Sequence, residues 1–525
     1  MIGIDFGTTN SAVAAPTGTD VTIVPNDRGD RLTPSVVAID RKQAVVGSSA
    51  RNQSVQHPDR TVFSVKDYMG TDEEILVGDR PNASSFVPEE LAGMILRKLR
   101  QDAESALDRA IDRAVVTVPA YFNDRQRQAT KHAGEIAGLS IDRVLNEPTA
   151  ACLAYGLRTG ADRLILVYDL GGGTFDSSLI EMGDGVFEVV ATNGDTSLGG
   201  DDWDARIVEW LEADLREEYG CEITDPVSIE RAFEAARTAK HELTSRKKTT
   251  IRLPFLELES ETVDIERTLT QTTFESITRD LTEETIRLCE QLLAESPYTK
   301  SSIDEVLLVG GSTRMKQVRS QVATAFDIEP STQINPDEAV ALGAGVQAAI
   351  LDDTLPVPSE DTDRQLDAVS ASSTGGDLKL RNPDDIVVLT VTPQSVGTTV
   401  MTDLQTETTE YSVLIPRNTP VPAHETGLYT TVADDQRYVR IEVLQGDGPL
   451  ADNELLDAFD LGPLPPRPAG EPDLEVQFTI DQDGLLQVRA KDRDNEIESG
   501  VTIESVFGRT ADEIQAMATN LPEVR

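Results

Sequence analysis

Along residues 1–351, short apolar runs alternate with longer stretches whose apolar positions recur every three or four residues. The runs at 1–4, 114–118, 164–168 and 306–309 are rich in Ile, Leu and Val and read as buried strands. Residues 124–137 read as an amphipathic helix with Arg127, Lys131 and Glu135 on its polar face. A Gly310-Gly311-Ser312-Thr313 turn separates the strand at 306–309 from a helix at 314–325. Asn335 and Pro336 read as N-cap and first residue of a further helix over 336–350. This alternation predicts an α/β unit over 1–351. Residues 352–390 change character: a polar, Gly/Ser/Pro-rich stretch ends in the apolar run 386–389 and reads as a linker. From 391 to 507 the period switches to two, as in 438–443 and 474–480, with Asp483-Gly484 as a hairpin turn before 485–490. That predicts a compact all-β domain. Residues 510–521 read as a short helix capped by Thr510.

Two segments repeat one design. Ile4-Asp5-Phe6-Gly7-Thr8-Thr9-Asn10 and Tyr168-Asp169-Leu170-Gly171-Gly172-Gly173-Thr174-Phe175-Asp176 each follow an apolar run and precede another. The order is strand, Gly/Thr turn, strand. It is not the strand–loop–helix of a Walker P-loop, and no GxxxxGK[ST] occurs. Glycines let backbone N–H groups approach a phosphate, hydroxyls add donors, and an Asp closing each first strand can hold a hydrated cation. Two such hairpins would grip a polyphosphate from both sides. Either copy alone is equally well an ordinary glycine turn; the pair is what points to phosphate.

Composition narrows the setting. The 525 residues carry a formal net charge of −45, spread along the chain, with Arg outnumbering Lys. This reads as a halophile-type surface hydrated by carboxylates. No basic stripe with interleaved aromatics is present, so nucleic-acid binding is not expected. Cys152, Cys221 and Cys289 are distant and odd in number, which suggests a reducing compartment without a disulfide framework. The four histidines show no metal spacing, and neither a signal peptide nor a membrane span is evident, so a cytoplasmic protein is expected.

The segments 3–11, 116–130, 145–157, 168–176, 194–202, 309–315, 335–350, 443–446 and 480–492 together resemble the 70-kilodalton heat-shock chaperones of the DnaK type. The resemblance implies an actin/hexokinase-like, two-lobed ATPase domain followed by a β-sandwich that binds extended apolar peptide, in a stress-response folding chaperone. ATP or ADP, Mg²⁺ and K⁺ are the implied cofactors. Unfolded polypeptide, a J-domain co-chaperone and a nucleotide-exchange factor are the implied partners. By the same resemblance Asp5 and Asp169 hold Mg²⁺ through water. Thr8, Thr9 and Asn10 line one phosphate hairpin, and Gly171, Gly172, Gly173 and Thr174 the other. Lys66 reaches the transferred phosphate, and Glu147 orders the metal shell and attacking water. Gly199 and Gly200 approach sugar and phosphates, while Lys240, Thr244, Gly310, Gly311, Ser312, Arg314 and Asp337 surround the adenosine. Pro119 and Arg127 match an allosteric relay, and Val388 and Leu389 a coupling linker. Met401 and Val432 match an arch over the peptide channel, and Tyr429, Val439 and Ile441 its lining. Outside those motifs Lys66 and Arg314 read as surface residues, Glu147 and Pro119 as strand ends, and the β-domain positions as core.

The chain departs from the family pattern at Arg237 and His241, near the ribose and adenine, and at Thr390, where an aspartate is usual. The region 70–91 is short, and residues 508–525 read as a remnant of the helical lid, able to cover one edge of the β domain. An alternative function is a nucleotide-gated interaction module or co-chaperone with slow ATPase and one dedicated partner. A sugar kinase of the same fold would lack the β domain.

Overall fold

The computed structural model describes every residue except 18–19, 41–42, 79–82, 160–161, 184, 221, 259–261, 332, 355–385, 404–407, 496 and 503–508. Cys221 and most of the expected linker thus lie outside the described residues. The first lobe is built on a sheet ordered Ser140–Asn146, Arg113–Val118, Ile2–Asp5, Asn10–Thr17, Asp20–Val24. Ile2–Asp5 runs antiparallel to Asn10–Thr17 and parallel to Arg113–Val118. The second lobe repeats this plan. Arg163–Leu170 is antiparallel to Phe175–Gly183 and parallel to Glu305–Val309. In both lobes the central strand carries an apolar run up to its aspartate, Ile2–Ile4 before Asp5 and Leu164–Tyr168 before Asp169.

Helices Glu147–Thr159 and Ala339–Leu351 pack together where the lobes join. The contact is close enough that a Cβ on Gly343 would stand 1.7 Å from the Ala150 carbonyl oxygen, and one on Gly3 would stand 2.1 Å from Ala344 backbone. Only glycine allows that approach.

The expected all-β region forms two four-stranded antiparallel sheets. One is ordered Thr408–Ile415, Val396–Asp403, Val439–Gln445, Glu454–Leu461; the other is Ala423–Tyr429, Leu474–Ile480, Leu486–Asp492, Ile497–Thr502. Their facing residues, Val443, Leu456, Val476, Phe478 and Val488 among them, make a separate core.

Several boundaries differ from the sequence reading. The helix expected from Pro336 begins at Ala339, because Asn335–Asp337 are committed to the loop beside Gly310: Pro336 accepts from the Gly310 N–H at 3.1 Å and Asn335 from Arg314 at 2.6 Å. The helix expected from Arg314 begins at Lys316, after a 3₁₀ turn over Gly311–Arg314. Arg127 is not on a polar face; it is buried under the β domain. The run at 386–389 is not a free connector. It supplies the strand Val387–Val391, which extends the second lobe's sheet by pairing in parallel with Val186, Phe187 and Glu188. The helix Ala511–Asn520 does form, capped by Thr510, but among the described residues it packs on Asp124–Ile136 of the first lobe rather than along an edge of the β domain.

Candidate functional site

The two hairpins face each other across a cleft of about 430 Å³. Gly7, Thr8, Thr9 and Asn10 line one wall and Gly171, Gly172 and Thr174 the other, with Asp5, Lys66, Glu147 and Asp169 between them. Lys66 rides on a 3₁₀ turn, Val65–Tyr68, whose preceding Ser64 takes a left-handed φ of 50°. The turn sends the lysine inward, where its side chain is only 2% exposed and donates to Glu147. Its Nζ also lies 5.9 Å from the Phe6 ring and 5.7 Å from the Phe122 ring, a desolvated seat for a cation.

This floor is strongly anionic. Burial, then the charge of Glu147, pushes the Asp5 carboxyl up to about 7. The same two causes push Asp176 up to about 7 and raise Asp169 well above the ordinary range. Four carboxylates thus face one lysine, an imbalance that a bound cation would relieve. Among the described residues no three His, Cys, Asp or Glu side chains converge closely enough to share an ion directly. A cation here fits as one held through its own water shell.

The second wall is assembled from crowded backbone. A Cβ on Gly199 would stand 2.3 Å from the Gly172 oxygen, one on Gly200 would meet Ser312 Oγ at 2.3 Å, and Gly310, at φ +81°, would meet the Leu170 oxygen at 2.2 Å. Ser312 Oγ donates to the Gly171 oxygen at 2.7 Å. Helix Pro226–Leu243 presents Arg237, Lys240 and His241 to the same cleft, with Thr244 just after it. Lys240 donates to the Gly200 oxygen at 2.6 Å and pairs with Asp204 at 2.9 Å. Arg314 pairs with Asp337 across the mouth, its Nε 2.9 Å from Oδ2. Arg237 is held by Glu234 at 2.6 Å, Asp204 at 3.4 Å and Asp201 at 3.7 Å, so its charge is neutralised within the helix bundle. Burial, then Lys240, lowers the His241 imidazole below its usual value, which keeps a neutral ring at the wall.

Toward the β domain, Pro119 accepts from the Phe122 N–H at 3.2 Å, and Arg127 donates to the oxygens of Ala120 and Phe122, each at 3.1 Å. Asp176 accepts from the Tyr121 N–H at 3.0 Å, so the same loop touches the cleft floor. Its other side meets the sandwich: Arg127 packs at Gly484, whose Cβ would stand 3.4 Å from it. Val388 packs against the interlobe core while Leu389 is half-buried opposite Glu188. Thr390 accepts from Asn146, the neighbour of Glu147, at 2.9 Å.

The peptide-binding candidates are more scattered. Met401 is exposed, Val432 half-buried, and Tyr429 and Val439 pack partly against the sandwich core. Ile441 lies inside that core. Exposed Leu428, on the strand Ala423–Tyr429, and Tyr438, just before Val439–Gln445, flank the same strands; the sequence period alone does not tell which face is exposed. Asp67, Arg51 and Asp201 were also missed. Asp67 accepts from Thr8 at 3.3 Å, and a Cβ on Gly173 would meet it at 2.7 Å, so it braces both hairpins. The one sequence signal was its place beside Lys66.

A cleft with paired phosphate hairpins, a buried lysine–glutamate pair and a β-sandwich attached through a paired strand defines a nucleotide hydrolase coupled to a second binding domain. The family model described as "Hsp70 protein" matches residues 1–524. Proteins named "Chaperone protein DnaK" from two strains of Halobacterium salinarum are each 46% identical over 521 residues, covering 98% of this chain and 77% of theirs. The chain belongs to the Hsp70 family. It is an ATP-hydrolysing chaperone of unfolded proteins, and its acidic surface is of the halophilic kind.

Proposed function

We propose that hydrolysis in this chain is carried by Lys66 and Glu147 between the two hairpins, and that its state reaches the sandwich through Arg127 and the strand Val387–Val391. The observation that supports this most directly is the buried Lys66–Glu147 pair, set where both Asp-x-Gly turns converge. Phosphoryl transfer asks for placement and charge neutralisation rather than covalent chemistry. Thr8, Thr9, Asn10, Gly171, Gly172, Gly173 and Thr174 offer N–H and O–H donors to the phosphates, and Lys66 offers a desolvated cation to the transferred group. Glu147 accepts hydrogen bonds and orients the attacking water. Asp5 and Asp169 would hold a hydrated Mg²⁺, which when bound neutralises phosphate charge, and the same anionic floor would suit K⁺. Gly199, Gly200, Lys240, Thr244, Gly310, Gly311, Ser312, Arg314 and Asp337 form the nucleoside wall.

Extended apolar segments dock on the sandwich near Met401, Tyr429, Val432 and Val439, with Ile441 supporting them from within. A J-domain co-chaperone and a nucleotide-exchange factor serve as further partners, and the protein works in the cytoplasm. No helix among the described residues is long and apolar enough to cross a membrane. Stimulation of single-turnover ATP hydrolysis by a panel of extended apolar peptides is the test. Stimulation by many unrelated peptides is expected; stimulation by none would favour a module with one dedicated partner.

A further inference from the structure

A second cavity, of about 390 Å³, opens behind the nucleoside wall. The strand Glu305–Val309 divides the two spaces by its alternation: Val309 lines the cleft and Leu308 the second cavity. Arg314 and Pro336 line both. Thr313, Arg319, Ser331, Ile334 and Asn335 complete the second cavity. Among the described residues no carboxylate lines it, in a chain with 92 Asp and Glu against 47 Lys and Arg.

Its polar groups are donors with hydrogens to spare. Arg314 commits Nε and Nη2 to Asp337 and Asn335, which leaves Nη1. Asn335 accepts through Oδ1, and its amide Nδ2 has no partner among the described residues. Arg319, on the helix Lys316–Phe326, is exposed and forms no ion pair among the described residues. Ser331 is pinned by its N–H to the Val306 oxygen at 2.8 Å, yet its Oγ is buried without a partner. A buried hydroxyl without a bond is costly unless a ligand uses it. These donors reach in from a turn, a helix and a loop. A planar carboxylate satisfies one guanidinium fork, whereas a tetrahedral phosphate offers an oxygen to each. The cavity exceeds a phosphate ion, and buried Leu308 and Ile334 give the remaining space an apolar floor.

We propose that this cavity binds a small phosphate monoester through Arg319, Ser331 and the free Nη1 of Arg314, and that its occupancy weakens nucleotide binding. The coupling rests on Arg314 standing in the nucleoside wall: an anion behind it competes with Asp337 for the guanidinium and loosens the mouth of the cleft. Titration calorimetry at constant KCl tests the site with glycerol 3-phosphate. The full chain is first saturated with Mg²⁺ and a non-hydrolysable ATP analogue, whose phosphates fill the cleft's own seats. The ester should bind more tightly than inorganic phosphate. Arg319→Gln should weaken it about tenfold or more, the scale of a hydrogen bond to a charged group. Lys316→Gln removes the same charge from the same helix outside the cavity and should change binding less than about twofold, as for a screened surface charge. No binding to the wild type, equal loss in both variants, or equally tight inorganic phosphate would overturn the proposal. These titrations do not depend on the nucleoside reading, which Arg314→Ala tests separately through ADP affinity without the ester. Saturating ester should then weaken ADP about threefold in the wild type and not in Arg319→Gln, as linkage between two sites requires. Unchanged ADP affinity with the ester bound would overturn the coupling.

Discussion

The two phosphate hairpins have the same strand–turn–strand design and are held in place by different means. The first is held by side chains: Ser35 Oγ donates to the Gly7 oxygen at 2.7 Å, and Thr8 donates to Asp67 at 3.3 Å. The second is held by backbone pressed against backbone at Gly199 and Gly310, with Ser312 bonded to Gly171. The ionisable side chains that meet at the floor between the hairpins come from both lobes. The first lobe brings Asp5 and Lys66, and Glu147 opens the helix that follows its edge strand Ser140–Asn146, while the second lobe brings close-packed loops and Asp169. One wall supplies the lysine–glutamate pair at the phosphates; the other supplies shape, its own cations Arg237, Lys240 and Arg314 being paired with acids of the same lobe.

That contrast is open to direct attack. Removing charge should do the most damage: Lys66→Ala should keep ATP binding yet slow single-turnover hydrolysis by a factor on the order of a hundred, the usual scale for a group acting on developing charge. An unchanged rate would reverse the assignment of the lysine–glutamate pair to the phosphates. Removing shape comes next. Gly199→Ala places a methyl 2.3 Å from the Gly172 oxygen, so the second hairpin must shift, and nucleotide affinity should fall by about tenfold with the hydrolysis rate of bound ATP less affected. Calorimetry against ADP reads this out; equal affinity would mean that the loop yields freely.

The anionic floor makes a smaller and subtler prediction. Asp5 and Asp176 stand near 7 without a cation. A raised carboxyl holds its proton in the free protein and loses it when a cation binds, so Mg²⁺·ADP binding at pH 6 should release protons, and release should vanish above about pH 8. Binding enthalpies compared in buffers of different ionisation heat measure the count. Proton uptake on binding would contradict the direction. Smallest of all, Thr8→Val removes one hydroxyl from the side-chain-braced hairpin and should cost affinity only a few-fold, the scale of a single neutral hydrogen bond. A loss as large as that of Gly199→Ala would erase the distinction between the walls.

Much of this site is legible in the chain. Lys66, Glu147 and the two Asp-x-Gly turns lie in contiguous motifs whose chemistry is local, and the capped helix after Thr510 carries its own start signal. What escapes is set by partners distant in sequence. Val387–Val391 is an apolar run that becomes a strand because Val186–Asp195 offers it an edge, and the same run without that edge reads as linker. Arg237 reads as a misplaced cation at the ribose until Asp204 and Glu234 are seen to hold it. Arg127 has helical spacing suited to solvent, and its burial follows only from the sandwich docking above it. Residues 523–524 are too few to show any period, so nothing in them announces the strand they add beside Gln43–Val46.

The crossing of Glu147–Thr159 with Ala339–Leu351 bears on how fast nucleotide can come and go. Where Gly343 meets Ala150 the lobes touch main chain to main chain, with small side chains such as Ala344 and Ala348 packed beside the contact. Such a joint behaves as a bearing: it resists separation yet offers few rotamer barriers to turning. A single methyl at this point would act as a shim, setting the angle between the jaws, and a rate of product escape could be tuned some distance from any atom the nucleotide touches.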